Sequence, residues 1–595
     1  MADEKGTWKR FQRISFDSRA FSKRARKAES NTTKHAHKFV ISKLDSLRNA
    51  KQHIVMWLVL VGVLITAVAL QMFWNQSVYN TTAWKQGGTY AEASIGTINT
   101  LDPLYATTQT EQSASKLLFS SLYNYDDTGT LADDLATSLE VSKDGKEYVV
   151  KIRDDARWSD GVKLTAQDIA FTVDLMRSPE VRSVKYSDWT NVTAKALDDR
   201  TVKFTLPAPY ASFPHALTFS VLPRHVLEDI APGAIRQSTF SVSPLGSGPF
   251  TLKLLQTSAD GKHKIANMAA SPNYYKGMVK LSRFELHAYE SNDDMMTALR
   301  TGEVTAAAGT SVQKSELSGD FAVDEYPVNS GVYALLNTQS ALLSDIKVRQ
   351  ALQAGTNTDD IRKAVGYDVP SLYLPFVDGQ LNGEGIPAKP TFDVETAKRI
   401  LDEAGWKLAA GESVRKKDGA SLELTVVTVK DTTLEKVMER LAGQWRELGV
   451  KVNTDTRDST SQDFVQSVLQ QRSYDVLLHK LVIGADMDVY AYWHSSQATA
   501  SGRNFSNYNN KVSDDALASA RVTSDPALRN EKYKSFSVQW MKDVPAIGLY
   551  QAVMQYVHRP SVQPIMKQNG VPSEADRYND VRFWSAMQQQ VYKTP

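Results

Sequence analysis

Residues 54–74 are apolar or uncharged throughout, a run of 21 positions without one ionisable side chain. At about 1.5 Å of rise per residue, a helix of that length reaches across a hydrocarbon layer of ~30 Å. Core helices of soluble proteins ordinarily keep a polar stripe, so the pattern predicts a single membrane span. Ile54 opens it, and Trp57, Phe73 and Trp74 stand near its ends, where amphipathic rings favour the headgroup level. Residues 75–86 are polar and aperiodic and predict a short stalk. From Gly87 onward, strand-like runs such as 148–152 and 201–206 alternate with helical patterns, which predicts a mixed α/β fold. In 393–405 (DVETAKRILDEAG), Asp393 can cap a helix whose Ala397, Ile400, Leu401 and Ala404 share one face, and Gly405 can close it. A second helix is predicted after Thr165, with Asp168 at its third position. Before it, Trp158-Ser159-Asp160-Gly161 has the composition of a tight turn. No internal repeat is present.

Charge orients the span. Residues 1–53 carry fourteen Lys and Arg against five Asp and Glu, a net +9, which leaves −7 for the remainder of a chain that is +2 overall. The positive-inside bias places the tail in the cytoplasm and the rest outside. Ala67-Val68-Ala69 resembles a signal-peptidase site, but 53 preceding residues far exceed an ordinary signal n-region, so an uncleaved anchor is expected. The basic run at 23–27 (KRARK) suits anionic lipid. It lacks the aromatic platforms of nucleic-acid binders, so a bilayer and no nucleic acid is the expected partner. His35 and His37 read as part of a solvated segment. With 595 residues, two or three folded regions are expected, and with no cysteine, disulfides and thiolate chemistry are excluded.

Several short motifs then occur in a fixed order: Gly87-Gly88-Thr89-Tyr90, Leu101-Asp102-Pro103, 158–168 (WSDGVKLTAQD), 244–250 (PLGSGPF), 271–275 (SPNYY), 299–304 (LRTGEV), 336–338 with 345–351 (DIKVRQA), 393–406, 504–508 (NFSNY) and 543–550 (DVPAIGLY). Together they resemble the extracellular solute-binding proteins that serve peptide, nickel and related ABC importers. The resemblance covers essentially everything after residue 86.

It implies a two-lobed α/β fold of the type II periplasmic-binding-protein kind, with residues 87–330 and 543–595 as one lobe and 331–542 as the other. Hinge segments are then expected at Gly331 to Asn337 and at Pro545 through Tyr550 to Gln551. Ligand capture would proceed by hinge closure, followed by delivery to the permease and ATPase subunits of an importer, with no cofactor. In peptide-binding relatives an Asp grips the ligand amine. The matching stretch here, residues 483–490, lacks the flanking Trp and Pro and is one residue shorter between its carboxylates. Asp486 and Asp488 are therefore alternative clamps, and in another register the position falls on Ile483. Glu111 matches a pocket carboxylate of oligopeptide-binding relatives. Tyr492 and Trp493 can wall a cleft or pack in a core, and Arg503 and Asn504 can meet a ligand carboxylate.

Two other classes fit the sequence less well. A hydrolase or nucleotide enzyme lacks its usual devices, since no His-Glu-x-x-His, Gly-x-Ser-x-Gly, P-loop or Gly-x-Gly-x-x-Gly occurs. The ten histidines are scattered and suggest no protein-built metal cage. A sensor signalling through the tail is the alternative to an importer component, although 53 residues without an apolar core make a small output module.

Overall fold

Helix Lys51–Tyr79 continues the apolar run in both directions, and within it residues 53–75 are long and apolar enough to cross a membrane. From Val55 to Trp74 its large side chains are exposed, Leu58 at 67% and Phe73 at 72%, the opposite of a core helix. The computed structural model describes residue 34 and residues 51–592 except 127, 259, 260, 262, 313–316, 318, 459, 460 and 567–569. The basic run at 23–27 and the His35/His37 pair lie outside the described residues. One unit comprises residues up to 83 with those from 589 onward, and a second comprises 84–588. Where an aperiodic stalk was expected, the helix extends to Tyr79 and strand Asn80–Trp84 follows directly, paired with the last strand, Gln588–Tyr592. Its partner is 500 residues away in sequence, so no local pattern announces it.

The second unit is organised on a ten-stranded mixed sheet. Two long neighbours form its middle, Ala322–Leu336 and Ala546–His558, antiparallel from Ala322 opposite His558 to Leu335 opposite Ala546. On one side lie Val476–Val482, Glu423–Val429 and Lys451–Arg457, the last two parallel and bridged by helix Thr432–Glu447. On the other lie Ala306–Thr310, Thr89–Ile95, Arg283–Tyr289, Lys264–Ala270 and Phe250–Thr257. A separate four-stranded antiparallel sheet is built from Ala136–Val141, Glu147–Ile152, Thr201–Thr205 and Thr193–Asp198.

The register of the two long strands slips between Pro327 and Gly331, opposite Val553 and Gln551. The buried side chains change partners at the same place. Val328 and Met554 belong to one core with Tyr90, Trp158, Phe284 and Trp584, whereas Val332 and Tyr550 belong to another with Trp406 and Trp445. A third cluster, around Tyr333, Trp493 and Trp540, packs on the opposite face of the same strands. A β-bulge bends a strand and loosens its ladder locally, and here it falls where the buried clusters change over, with Val553 beside it packed against the second.

Local signals were obeyed. Thr165 and Asp168 form a capping box, and Asp393 caps Val394–Glu403 by accepting from Thr396 N. Trp158 is buried at a turn in which Gly161, at φ +94°, donates to the Trp158 carbonyl. Gly246 and Gly248 answer a different need, close approach to the end of helix Gln109–Leu118: a Cβ on Gly248 would sit 2.6 Å from the Leu118 carbonyl carbon, and one on Gly246 would overlap its oxygen.

Candidate functional site

Residues of the first core region meet residues of the second along a polar seam. Strand Val476–Val482 ends where Ile483 N and Gly484 N both donate to Asn329 O, each at 2.9 Å, so the turn is tied to the bulge itself. Gly484 takes φ +77°, and the chain then presents Asp486 and Asp488. Two helices that follow each other closely, Lys511–Val522 and Pro526–Asp543, supply Arg521 and Arg529.

Asp488 Oδ2 accepts from Arg521 Nε at 2.9 Å and from Tyr210 OH at 2.8 Å. The Arg521 guanidinium lies between the rings of Tyr210 and Tyr490, 4.8 and 4.4 Å from their centroids, a cation–π arrangement. The backbone joins in, with Ala211 N donating to Arg521 O at 2.7 Å. Asp486 Oδ1 pairs with Arg529, whose Nη2 also donates to Ser212 Oγ at 2.5 Å. Beside them the Tyr125 hydroxyl and His215 Nδ1 are 3.2 Å apart. Burial, and then the Asp488 charge, hold the Tyr210 phenol well above its ordinary value, so it stays a donor. Burial lowers the His215 pKa, Asp486 opposes that shift and Arg529 adds to it, which leaves the imidazole neutral at pH 7.

The two carboxylates and two guanidiniums cancel in charge but not in hydrogen bonding. Asp486 Oδ2 and Arg529 Nε are both buried and meet no partner among the described residues. A buried unmade hydrogen bond to a charged group is costly, and here one acceptor and one donor are left within the same ion pair.

The other sequence candidates fall elsewhere. Glu111 is 1% exposed and closes a capping box with Thr108: its carboxylate accepts from Asn99 N at 2.8 Å, Thr107 N at 2.8 Å and Thr108 N at 3.0 Å. The structure thus gives it a scaffold role where a pocket carboxylate was expected. Trp493 packs edge-on against Trp540 and Tyr333 in the core rather than walling a cleft. Asn504 is buried, its amide spanning the His494 and Tyr508 carbonyls at 3.1 and 2.8 Å. Tyr492 donates to Val482 O at 2.9 Å, with the exposed Arg503 beside its hydroxyl. Sequence reasoning missed Tyr210, Ser212, Arg521 and Arg529, because their pairing with the acidic turn exists only in the folded chain.

Residues 130–503 match the family described as bacterial extracellular solute-binding proteins, family 5 Middle. The chain belongs to this family. As a family 5 protein it is a solute-binding component of ABC transporters and not an enzyme. It is 24% identical over 517 residues to the oligopeptide-binding protein AppA of Bacillus subtilis (strain 168), covering 84% of this chain and 92% of AppA. The structure of Bacillus subtilis AppA in complex with a nonapeptide superposes with a TM-score of 0.70 at 22% identity, covering 85% of this chain and all of the other. NikZ from Campylobacter jejuni in complex with Ni(L-His) gives 0.70 at 26% identity, covering 84% and 99%. The family 5 fold is therefore the type II periplasmic-binding-protein architecture that the motifs implied, mixed α/β throughout.

Proposed function

We propose that this family 5 protein is a membrane-anchored, extracytoplasmic receptor that closes around a zwitterionic, peptide-like solute and hands it to an ABC permease. The observation that carries the reading is the pair of unmet groups at the seam, Asp486 Oδ2 and Arg529 Nε. A ligand ammonium supplies the missing donor and a ligand carboxylate the missing acceptor, so one zwitterion completes both. The relatives named for oligopeptides agree with this class of solute. The two lobes are 87–330 with the returning C-terminal segment, and 331–542. Their pivot is the bulge, bordered by Gly331 on one strand and close to Tyr550 on the other. Asn337 and Pro545 lie at the far end of the crossing, where Leu336 N donates to Pro545 O at 2.9 Å and Asn337 N to Asp475 O at 2.8 Å; these contacts hold that end firm while the bulge flexes.

Native mass spectrometry of the full chain from detergent micelles, given a peptide mixture beside the same peptides N-acetylated and C-amidated, tests the ligand. Retention of the free-ended peptides is expected, and equal retention of the capped set defeats the zwitterion reading. Asp486→Asn should weaken free-ended peptides by roughly 10-fold or more, the usual scale for one charge-assisted hydrogen bond. Titration calorimetry reads that change.

Anchoring rests on helix Lys51–Tyr79 and its exposed apolar surface. An arginine at the centre of a span costs roughly 2.5–3.5 kcal/mol. Val63→Arg with Leu64→Arg should therefore move the protein from the carbonate-washed membrane pellet to the supernatant. A wild-type chain already in the supernatant removes the anchor.

A further inference from the structure

Away from the seam, three segments of the first core region converge on a cluster that the solute-binding reading does not use. Two adjacent antiparallel strands, Lys264–Ala270 and Arg283–Tyr289, are in register with Ile265 opposite His287, which brings His263, just before the first strand, diagonally beside His287. His263 Nε2 and His287 Nδ1 are 3.2 Å apart. Helix Asn292–Thr301 ends at Gly302 in the left-handed conformation, and the chain turns Glu303 back over the pair. Glu303 Oε1 lies 3.7 Å from His263 Nδ1 and 3.9 Å from His287 Nδ1. One donor atom from each of the three residues can be chosen so that all lie within 4.8 Å of one another.

We propose that His263, His287 and Glu303 form a binding site for a divalent transition-metal ion of the zinc class. Two imidazoles and one carboxylate are a donor set that such ions accept, and the carboxylate supplies charge that two neutral rings lack. In a tetrahedral site with bonds of about 2.0–2.1 Å, ligand atoms stand roughly 3.3–3.4 Å apart. His263 Nε2 and His287 Nδ1 are already close to that spacing, and Glu303 Oε1, 3.9 Å from His287 Nδ1 on a half-exposed side chain, has to close by about half an ångström or more to join them.

The surroundings are arranged as outer partners of a metal usually are. With His287 Nδ1 facing the cluster, its Nε2 points toward Glu285 Oε2 at 3.6 Å and otherwise meets no hydrogen-bond partner among the described residues. If Glu285 closed to hydrogen-bonding distance when the ion bound, it would fix the tautomer and raise ligand basicity, as such outer carboxylates do. Tyr289 donates to Glu303 Oε1 at 3.0 Å and stacks on His263 with centroids 4.2 Å apart, orienting two of the three ligands at once. The His287 side chain is 4% exposed and that of Glu303 49%, so one flank is closed by protein and the other is open to a water or exogenous ligand as the fourth donor. Such an ion would pin the hairpin before Lys264 to the helix turn at Gly302.

The experiment uses the full chain in detergent micelles, stripped with chelator and titrated with Zn²⁺. Its background carries His35→Asn and His37→Asn, so that the tail pair takes up none. One equivalent of saturable zinc is expected, with a rise in unfolding temperature. His263→Gln, at a part-exposed position, and Glu303→Gln should each weaken binding by roughly 10-fold or more and abolish the rise, while Tyr289→Phe should cost about 10-fold. Absence of saturable binding, or unchanged affinity in His263→Gln and Glu303→Gln, overturns the site.

Discussion

Arg577→Met should destabilise the folded part by about 3–5 kcal/mol, the usual cost of leaving a buried charge without its partner. Arg577 and Glu92 have fully buried side chains and pair at 2.7 Å. Around Glu92 the hydroxyls of Tyr556, at 2.6 Å, and Tyr578 complete the carboxylate's hydrogen bonds, and Tyr556 meets Tyr90 at 2.8 Å. Arg577 also donates to Ser113 Oγ at 3.1 Å and to Glu574 O at 2.7 Å. Burial opposes the guanidinium charge, but Glu92 together with Tyr578 and Tyr556 outweighs it and holds the Arg577 pKa above its ordinary value. The network ties the late segment Glu574–Phe583 to strand Thr89–Ile95, almost the whole folded length apart in sequence. Removing only the arginine leaves a buried carboxylate with its tyrosine hydrogen bonds but no counter-charge. Glu92→Gln with Arg577→Met should recover much of the loss, because the remaining amide is neutral and still finds the tyrosine hydroxyls. Urea unfolding of the three proteins measures both steps. A single variant within 1 kcal/mol of wild type would show that water or a rearranged partner reaches Glu92.

How much of this was legible in the sequence depends on the distance between cause and effect. Helix caps are local: Thr165 with Asp168, and Asp393 with Gly405, could be read directly and occur as read. Thr108-x-x-Glu111 is a signal of the same kind, and it occurs as a capping box where the resemblance implies a pocket carboxylate. The acidic turn at 486–488 was recognisable by its carboxylates. Their partners were not, because Arg521 and Arg529 are brought to them by helices 33 and 43 residues further on, and an arginine on a helix carries no mark of its partner in the sequence. The same holds for the strand at 80–84 and for His263 with His287, which are 24 residues apart in sequence and meet only through the hairpin and its register. Turn and cap chemistry is encoded within four residues, whereas the contacts along the seam depend on distant parts of the chain being in place.

If the proposed hinge closure operates, its equilibrium is the property that the contacts across the seam govern most directly. Side-chain contacts across the seam include Tyr210 OH to Asp488 at 2.8 Å and Arg529 to Ser212 Oγ at 2.5 Å. A hydrogen bond to a charged group contributes roughly 1.5–3 kcal/mol, and a shift of 1.4 kcal/mol changes a two-state population tenfold. Tyr210→Phe keeps the ring that stacks on Arg521 and removes only the hydroxyl, and Ser212→Ala does the same for the second contact. Each should therefore raise the open-to-closed ratio by about 10-fold or more, and the double variant by about 100-fold, since the two contacts use different donors and acceptors. The chain has no cysteine, so Thr137→Cys in the four-stranded sheet and Glu395→Cys on helix Val394–Glu403, both exposed, accept a pair of spin labels without background. Pulsed dipolar spectroscopy should give a short-distance population in the parent and a growing long-distance population in Tyr210→Phe, Ser212→Ala and their combination. Saturating free-ended peptide should reverse that growth, because a ligand bridging Asp486 and Arg529 to the opposite wall favours only the closed arrangement. One unchanging distance in all four proteins, with and without peptide, would mean that the bulge at Pro327 and Gly331 does not flex and that the seam is a fixed interface rather than a closing one.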